Sequence, residues 1–183
     1  MSDDTAALYD RIANRFGELL DRCPADRWAA PSPCPGWSAR DVAAHVIRNH
    51  RRALAGLDGT AYAAPAADED IRRAWRGAAD GVRGALADPD RATQLLGEEF
   101  GSITFAEFIR RMACADTLIH SWDFARATGQ DETLDADGVA VAIEMLVPED
   151  ELIRMPGAFG GKIATVAGAD DRTRLLNFLG RTG

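Results

Sequence analysis

Residues 116–130, DTLIHSWDFARATGQ, decide how this chain is read. Phe108, Met112, Ala115, Ile119 and Trp122 recur at helical spacing, so one helix with a core-facing stripe is predicted from about residue 104 to 128. Gly129 closes it, in the position where a left-handed residue commonly ends a helix. Asp116, His120 and Asp123 fall beside that stripe, about one turn apart. A carboxylate taken out of water needs a compensating charge or strong hydrogen bonds. The helix therefore calls for a cation, or a set of polar partners, at this place.

Working outward, helical signals dominate. Leu8, Ile12, Phe16 and Leu19 define a first amphipathic helix over about residues 4–22. The stretch APSPCPGWS, residues 30–38, is a loop because of its prolines and glycine. Ser38 then offers an N-cap, with Asp41 three residues on in a capping-box position. The helix that follows carries Val42, Val46, Asn49 and Ala53 along one stripe and ends near residue 59. Residues 56–70, GLDGTAYAAPAADED, form a long crossover before a third helix over about 70–87, stopped at Asp88-Pro89. RATQLLGEEFGSIT, residues 91–104, reads as a small hairpin. A fifth helix over about 135–147, an irregular tail over 156–171 and a short helix in RTRLLNFLGR, residues 172–181, complete the chain. No internal repeat is present.

Four long helices with a long connection between the second and third predict an all-α protein: a four-helix bundle with extra C-terminal helices, one domain over residues 1–183. Bundles build metal sites from inward-facing side chains on neighbouring helices. The net charge of −8 and the absence of a basic stripe argue against nucleic acid or an anionic membrane surface as partner. Twenty arginines stand against one lysine, Lys162, which together with abundant alanine points to a GC-rich, actinobacterial source. Cys23, Cys34 and Cys114 are odd in number and unpaired in spacing, as expected in a reducing cytoplasm. The N-terminus is acidic and lacks an apolar signal core, and no apolar run is long enough to span a bilayer.

The chain has three histidines, which narrows the search for a metal site. Asp116 and His120 supply two donors one turn apart, and two donors alone hold a metal poorly. His45 lies at the edge of the second helix's apolar stripe. His50, about 140° further round, cannot share that site and is expected on a solvated face. The proposed set is therefore His45, Asp116 and His120, with positions left open for water or substrate. Asp123 is assigned to orient an imidazole or hold a neighbouring helix. The competing reading makes Asp116 and His120 an ordinary helical pair, with an arginine neutralising the acid. Cys114 is expected as a small buried hydrophobe, Cys34 and Trp37 as loop packing, Met112 and Trp122 as core.

PCPGWSARDVAAHV, residues 33–46, resembles the N-terminal motif of the mycothiol-dependent maleylpyruvate isomerase-like proteins of the DinB-like superfamily. ADTLIHSWDFARATGQ, residues 115–130, is similar to that family's second motif: an acid and a histidine four apart, then Trp-Asp and a Gly-ended helix. The tail GAFGGKIATVAGADDRTRLLNFLGR, residues 157–181, resembles the C-terminal signature of one actinobacterial branch. The resemblance implies a DinB-like bundle and metal ligands at His45, Asp116 and His120. It implies a divalent metal, zinc first and nickel second, and mycothiol as cosubstrate. The reaction implied is a thiol transfer or isomerisation on a small electrophile. Several family members carry Glu where this chain has Asp116. The isomerases continue into a second domain that this length does not accommodate, so maleylpyruvate itself is not assigned. Arg126 and the tail arginines are candidates for anionic substrate groups. A non-catalytic metal-binding bundle and a metal-dependent hydrolase using bound water remain the alternatives, and a homodimer is compatible with either.

Overall fold

The computed structural model describes residues 2–154 and 160–182; among these the regular elements are helices, and the β-type pairing is two isolated antiparallel bridges, Pro31 to Ser38 and Leu95 to Thr104. α1 spans Ser2–Arg22, and its expected stripe of Leu8, Ile12, Phe16 and Leu19 is buried. α2 spans Ala39–Asp58. Its capping box forms as the sequence implies: Asp41 N donates to Ser38 Oγ at 3.2 Å and Ser38 N donates to Asp41 Oδ2 at 2.9 Å. Gly59, at φ 64°, closes it. α3 spans Ile71–Ala87 behind the Asp70 cap, and Asp88 at once caps α4, Pro89–Thr93, with proline in its first turn. α5 covers Phe105–Phe108 behind a Thr104 cap, followed by a π-helical turn at Ile109–Ala113 and by α6, Cys114–Thr128. α7 spans Ala136–Leu146 and α8 Asp171–Phe178.

α1 packs on α3 and α6, and α2 packs on the same two helices, so α1 and α2 occupy one diagonal of the bundle. Aromatic rings fill the space between them. Phe16 meets Trp75 edge-on at 4.9 Å and Phe124 at 6.0 Å, and Trp28 meets Phe124 at 5.5 Å. α7 lies against α6, and α8 lies against α7. α6 is consequently enclosed almost all round, with Arg126 its exposed residue and Asp116 half-buried. Two of its hydroxyls turn back on the helix, Ser121 Oγ to the Thr117 carbonyl and Thr128 Oγ1 to the Phe124 carbonyl, both at 2.7 Å. Among the described residues, no helix is long and apolar enough to cross a membrane.

Three expectations are corrected. Met112 is 48% exposed rather than core, because the π turn carries an extra residue and rotates the stripe. Phe105 faces inward before the turn, Ile109 and Ala113 within it, and Leu118, Ile119 and Trp122 after it. His50 is wholly buried rather than solvated: four residues beyond Val46, it falls on the buried side of α2, near Tyr9 and Trp75, at ring distances of 5.7 and 4.9 Å. It donates through Nδ1 to the Val46 carbonyl at 2.9 Å, and burial pushes its pKa down. The expected hairpin amounts to a single bridge closed around a 3-10 turn at Glu98–Phe100, since Asp88-Pro89 starts a helix as well as stopping one.

The expected irregular tail is non-helical over 160–170, while 156–159 lie outside the described residues. α8 ends at Phe178, earlier than the sequence implies, because Gly180 turns the chain at φ +77°. A β-carbon there would meet the Gly161 carbonyl oxygen at 2.7 Å. Gly180→Ala should therefore cost at least the ~1–2 kcal/mol of a left-handed residue. Each kcal/mol lowers Tm by about 2–4 °C in a protein of this size. An unchanged melting temperature by circular dichroism would contradict this account of the turn.

Candidate metal centre

Four pieces of the chain meet along one side of α6. α2 contributes His45 and Asn49, and α6 contributes Asp116, His120 and Asp123. The loop before α2 contributes Cys34 and Trp37, and the segment after α8 contributes Arg181. The loop is held by its own backbone, with Ser32 N donating to the Trp37 carbonyl at 2.8 Å and Trp37 N to the Cys34 carbonyl at 3.0 Å. Gly36 supplies the positive φ of 78° that this turn needs.

His45 Nε2 lies 3.1 Å from Asp116 Oδ1, and His120 Nε2 lies 3.6 Å from the same oxygen. The two imidazoles meet edge to face at 4.8 Å. Asn49 Nδ2 donates to Asp116 Oδ2 at 3.2 Å and sits 2.9 Å from His45 Nε2. Trp37 closes the group on one side, its ring 4.9 Å from His45 and stacked at 6.0 Å on His120. On the far side of its ring, His120 Nδ1 faces Asp123 Oδ2 at 2.9 Å. That contact leaves Nε2 directed at Asp116 and His45. The structure thus brings together His45, Asp116 and His120 and places Asp123 against the other nitrogen of the His120 ring.

Two groups of donors are close enough to share an ion: His45, Asp116 and His120, and Cys34, His120 and Asp123. Charge distinguishes them. Asp123 already has a cation, because Arg181 Nε reaches Oδ1 and Arg181 Nη2 reaches Oδ2, both at 2.7 Å. Arg181 Nη2 also lies 3.7 Å from Cys34 Sγ. The described ion pairs of Asp116 are with the two histidines. Two imidazole nitrogens and one carboxylate oxygen suit a borderline divalent ion such as zinc. These residues fit a metal, and the guanidinium-filled group does not.

The electrostatics agree with that choice. Burial alone would raise Asp116, but His120 and the hydrogen bonds from His45 and Asn49 outweigh it and hold the carboxyl down to about 2. Burial would likewise lower His120, yet Asp116 first, then the hydrogen bonds to Asp123 and Cys34, push it up to about 10. The buried imidazole is therefore held as a cation between two carboxylates, in the place a metal's charge would fill. His45 Nδ1 lies 3.1 Å from Arg48 Nη2, so ligation through Nε2, which puts the proton on Nδ1, requires that exposed arginine to turn away.

Two clefts flank the centre. One of about 450 Å³ opens on Asp116 and is lined by Arg52, Phe100, Phe108, Arg111 and Met112. The other, about 370 Å³, runs along Trp37, His45 and Arg48. Met112, displaced from the core by the π turn, thereby becomes a cleft wall. Arg126 pairs with Glu132, Nε to Oε1 at 2.6 Å, and stacks on Trp122 at 4.7 Å, away from the centre. Cys34 and Trp37 pack the loop as expected and also border the site. Cys114 is buried, its thiol pushed up to about 12 chiefly by burial.

Residues 9–125 match the family model for the mycothiol maleylpyruvate isomerase N-terminal domain. Two proteins of Mycobacterium tuberculosis align along 98% of this chain and 98% of their own length at 27% identity: Rv0738 of strain ATCC 25618 / H37Rv and MT0763 of strain CDC 1551 / Oshkosh, both named only as uncharacterized. No solved structure gives a significant match.

Proposed function

The chain belongs to the mycothiol maleylpyruvate isomerase N-terminal domain family, and we propose that it is a metal-dependent enzyme joining or exchanging a small-molecule thiol with a small electrophile. The thiol proposed is mycothiol, and the reaction an S-transfer or a thiol-assisted isomerisation. One observation carries this reading: His45, Asp116 and His120 converge three donors from two helices on one point, between two clefts, with room left for further ligands.

His45, Asp116 and His120 would hold the ion, zinc or nickel. When bound, the ion would lower the pKa of a thiol toward neutrality and keep it as the nucleophilic thiolate. Everything else falls to the chain. Asp123 keeps His120 turned with Nε2 inward, and Asn49 fixes Asp116. Trp37 shields the imidazoles from water on one side. Arg52 and Arg111 line the cleft that opens on Asp116, where they would attract an electrophile bearing a carboxylate.

The test is consumption of carbon electrophiles by metal-loaded protein, with and without mycothiol. Thiol-dependent turnover is the expected result. Turnover that ignores the thiol would replace this reading with hydrolysis by bound water. Loss of fold on chelation, without turnover under any condition, would make the metal structural.

A further inference from the structure

Asp123 is completely buried, and both of its oxygens are engaged. Oδ1 accepts from Arg181 Nε, while Oδ2 accepts from Arg181 Nη2 and from Cys34 Sγ, at 3.3 Å, and faces His120 Nδ1. A carboxylate enclosed in this way needs a cation, and the planar fork of arginine satisfies both oxygens at once. That cation arrives 58 residues later in the chain, well beyond the stretch that the family model covers.

The seat for Arg181 is built with care. α8 starts on the Asp170 cap, and Leu175, Leu176 and Leu179 bury its inner face. Past the helix, Gly180 reverses the chain and Arg181 N donates to the Leu176 carbonyl at 2.8 Å. Arg154 donates to the carbonyls of Gly160 and Phe178, tying both ends of this segment down. The Arg181 side chain, 9% exposed, is thereby delivered to Asp123.

We propose that Arg181 is a positioning residue of the metal centre: the C-terminal segment clamps Asp123, Asp123 orients the His120 ring, and Nε2 is thereby aimed at Asp116 and His45. The proposal rests on the metal-binding reading of those three residues and adds that the centre is incomplete without the end of the chain. Coupling of this kind is reciprocal, so metal at the centre should also steady α8.

The experiment uses the full chain with zinc as the probe, its dissociation constant read by competition with a chromophoric chelator. Arg181→Met keeps the length and removes the charge, and should weaken zinc binding about 10–100-fold, as loss of a residue supporting a ligand does. Arg181→Lys should fall between it and wild type. Arg174→Ala, which removes a guanidinium paired with exposed Asp171 on α8, should leave the affinity unchanged. Equal zinc affinity in Arg181→Met and wild type would overturn the proposal, whatever happened to stability. Should Arg181→Met fail to fold, the double variant Asp123→Asn/Arg181→Met removes both buried charges and should show the same weakening. Unchanged affinity there is equally fatal.

A readout without metal separates this proposal from the reading beneath it. In metal-free protein the His120 Nδ1 proton, hydrogen-bonded to Asp123, should give an NMR signal slowed from exchange with water and lost in Arg181→Met. If wild type binds no zinc, the metal centre fails. Positioning by Arg181 is then judged on that signal, its loss supporting the role and its persistence refuting it.

Discussion

His120→Ala should abolish stable metal binding while leaving the bundle folded. The variant removes one of three converging donors, so the loss should exceed the roughly 10–100-fold typical of residues that only support a ligand. It should not expose a ruinous charge. Asp123 keeps its two bonds to Arg181, and Asp116 keeps His45 and Asn49. What remains is a buried void beside Trp37, a cost felt as lower stability rather than as unfolding. Elemental analysis of protein purified without a metal-affinity tag, alongside circular dichroism, checks both halves. Near-stoichiometric zinc or nickel in wild type and little in the variant is expected. A folded His120→Ala protein with full occupancy would remove His120 from the ligand set. Asp116→Glu, which keeps a carboxylate, should retain more metal than Asp116→Asn.

The helices were legible because their signals are local. The Ser38–Asp41 box, the Gly129 stop and the stripe of α1 each depend on residues within a few positions of one another. Met112 was misread for a reason that no periodicity rule anticipates. A projection at 100° per residue holds only while the helix stays α, and the π turn at Ile109–Ala113 shifts every later position. His50 was misread differently. Its i+4 relation to Val46 put it on the buried side, but histidine's polarity outweighed position, and the Val46 carbonyl that satisfies Nδ1 is invisible without the fold. Near residue 89, one proline carried two instructions, ending α3 and opening α4.

At the site, Asp116, His120 and Asp123 could be grouped because one helix carries them, and His45 followed from the scarcity of histidines. Asn49 was read as part of a stripe, although its position four residues after His45 was the available signal. Arg181 was reached only as one of several tail arginines, and not as the partner of Asp123. A buried Asp123 demands a cation, but twenty arginines gave no means of choosing among them. The choice depends on the turn at Gly180, a tertiary event.

Metal affinity should rise steeply with pH, about tenfold per unit below the His120 pKa, with about one proton released for each ion bound near neutrality. His120 holds its proton to about 10 in the metal-free protein, and a ligating imidazole must be neutral. Asp116 and Asp123, both held down to about 2, stay ionised throughout and add nothing to this slope. Stability of the metal-free protein runs the other way. Because the folded pKa of His120 lies above its ordinary 6.5, the proton's stabilisation is full below 6.5 and is lost as pH rises through about 10. Alkaline conditions should therefore weaken the metal-free protein while strengthening its hold on metal, so the gap between the two melting temperatures should widen upward from about neutrality. Calorimetric titration in buffers of different ionisation heat counts the protons. A count of zero near neutrality would mean that His120 is already neutral, that Asp116 and Asp123 do not hold the proton there, and that the ion does not replace a charge the fold was already built to carry.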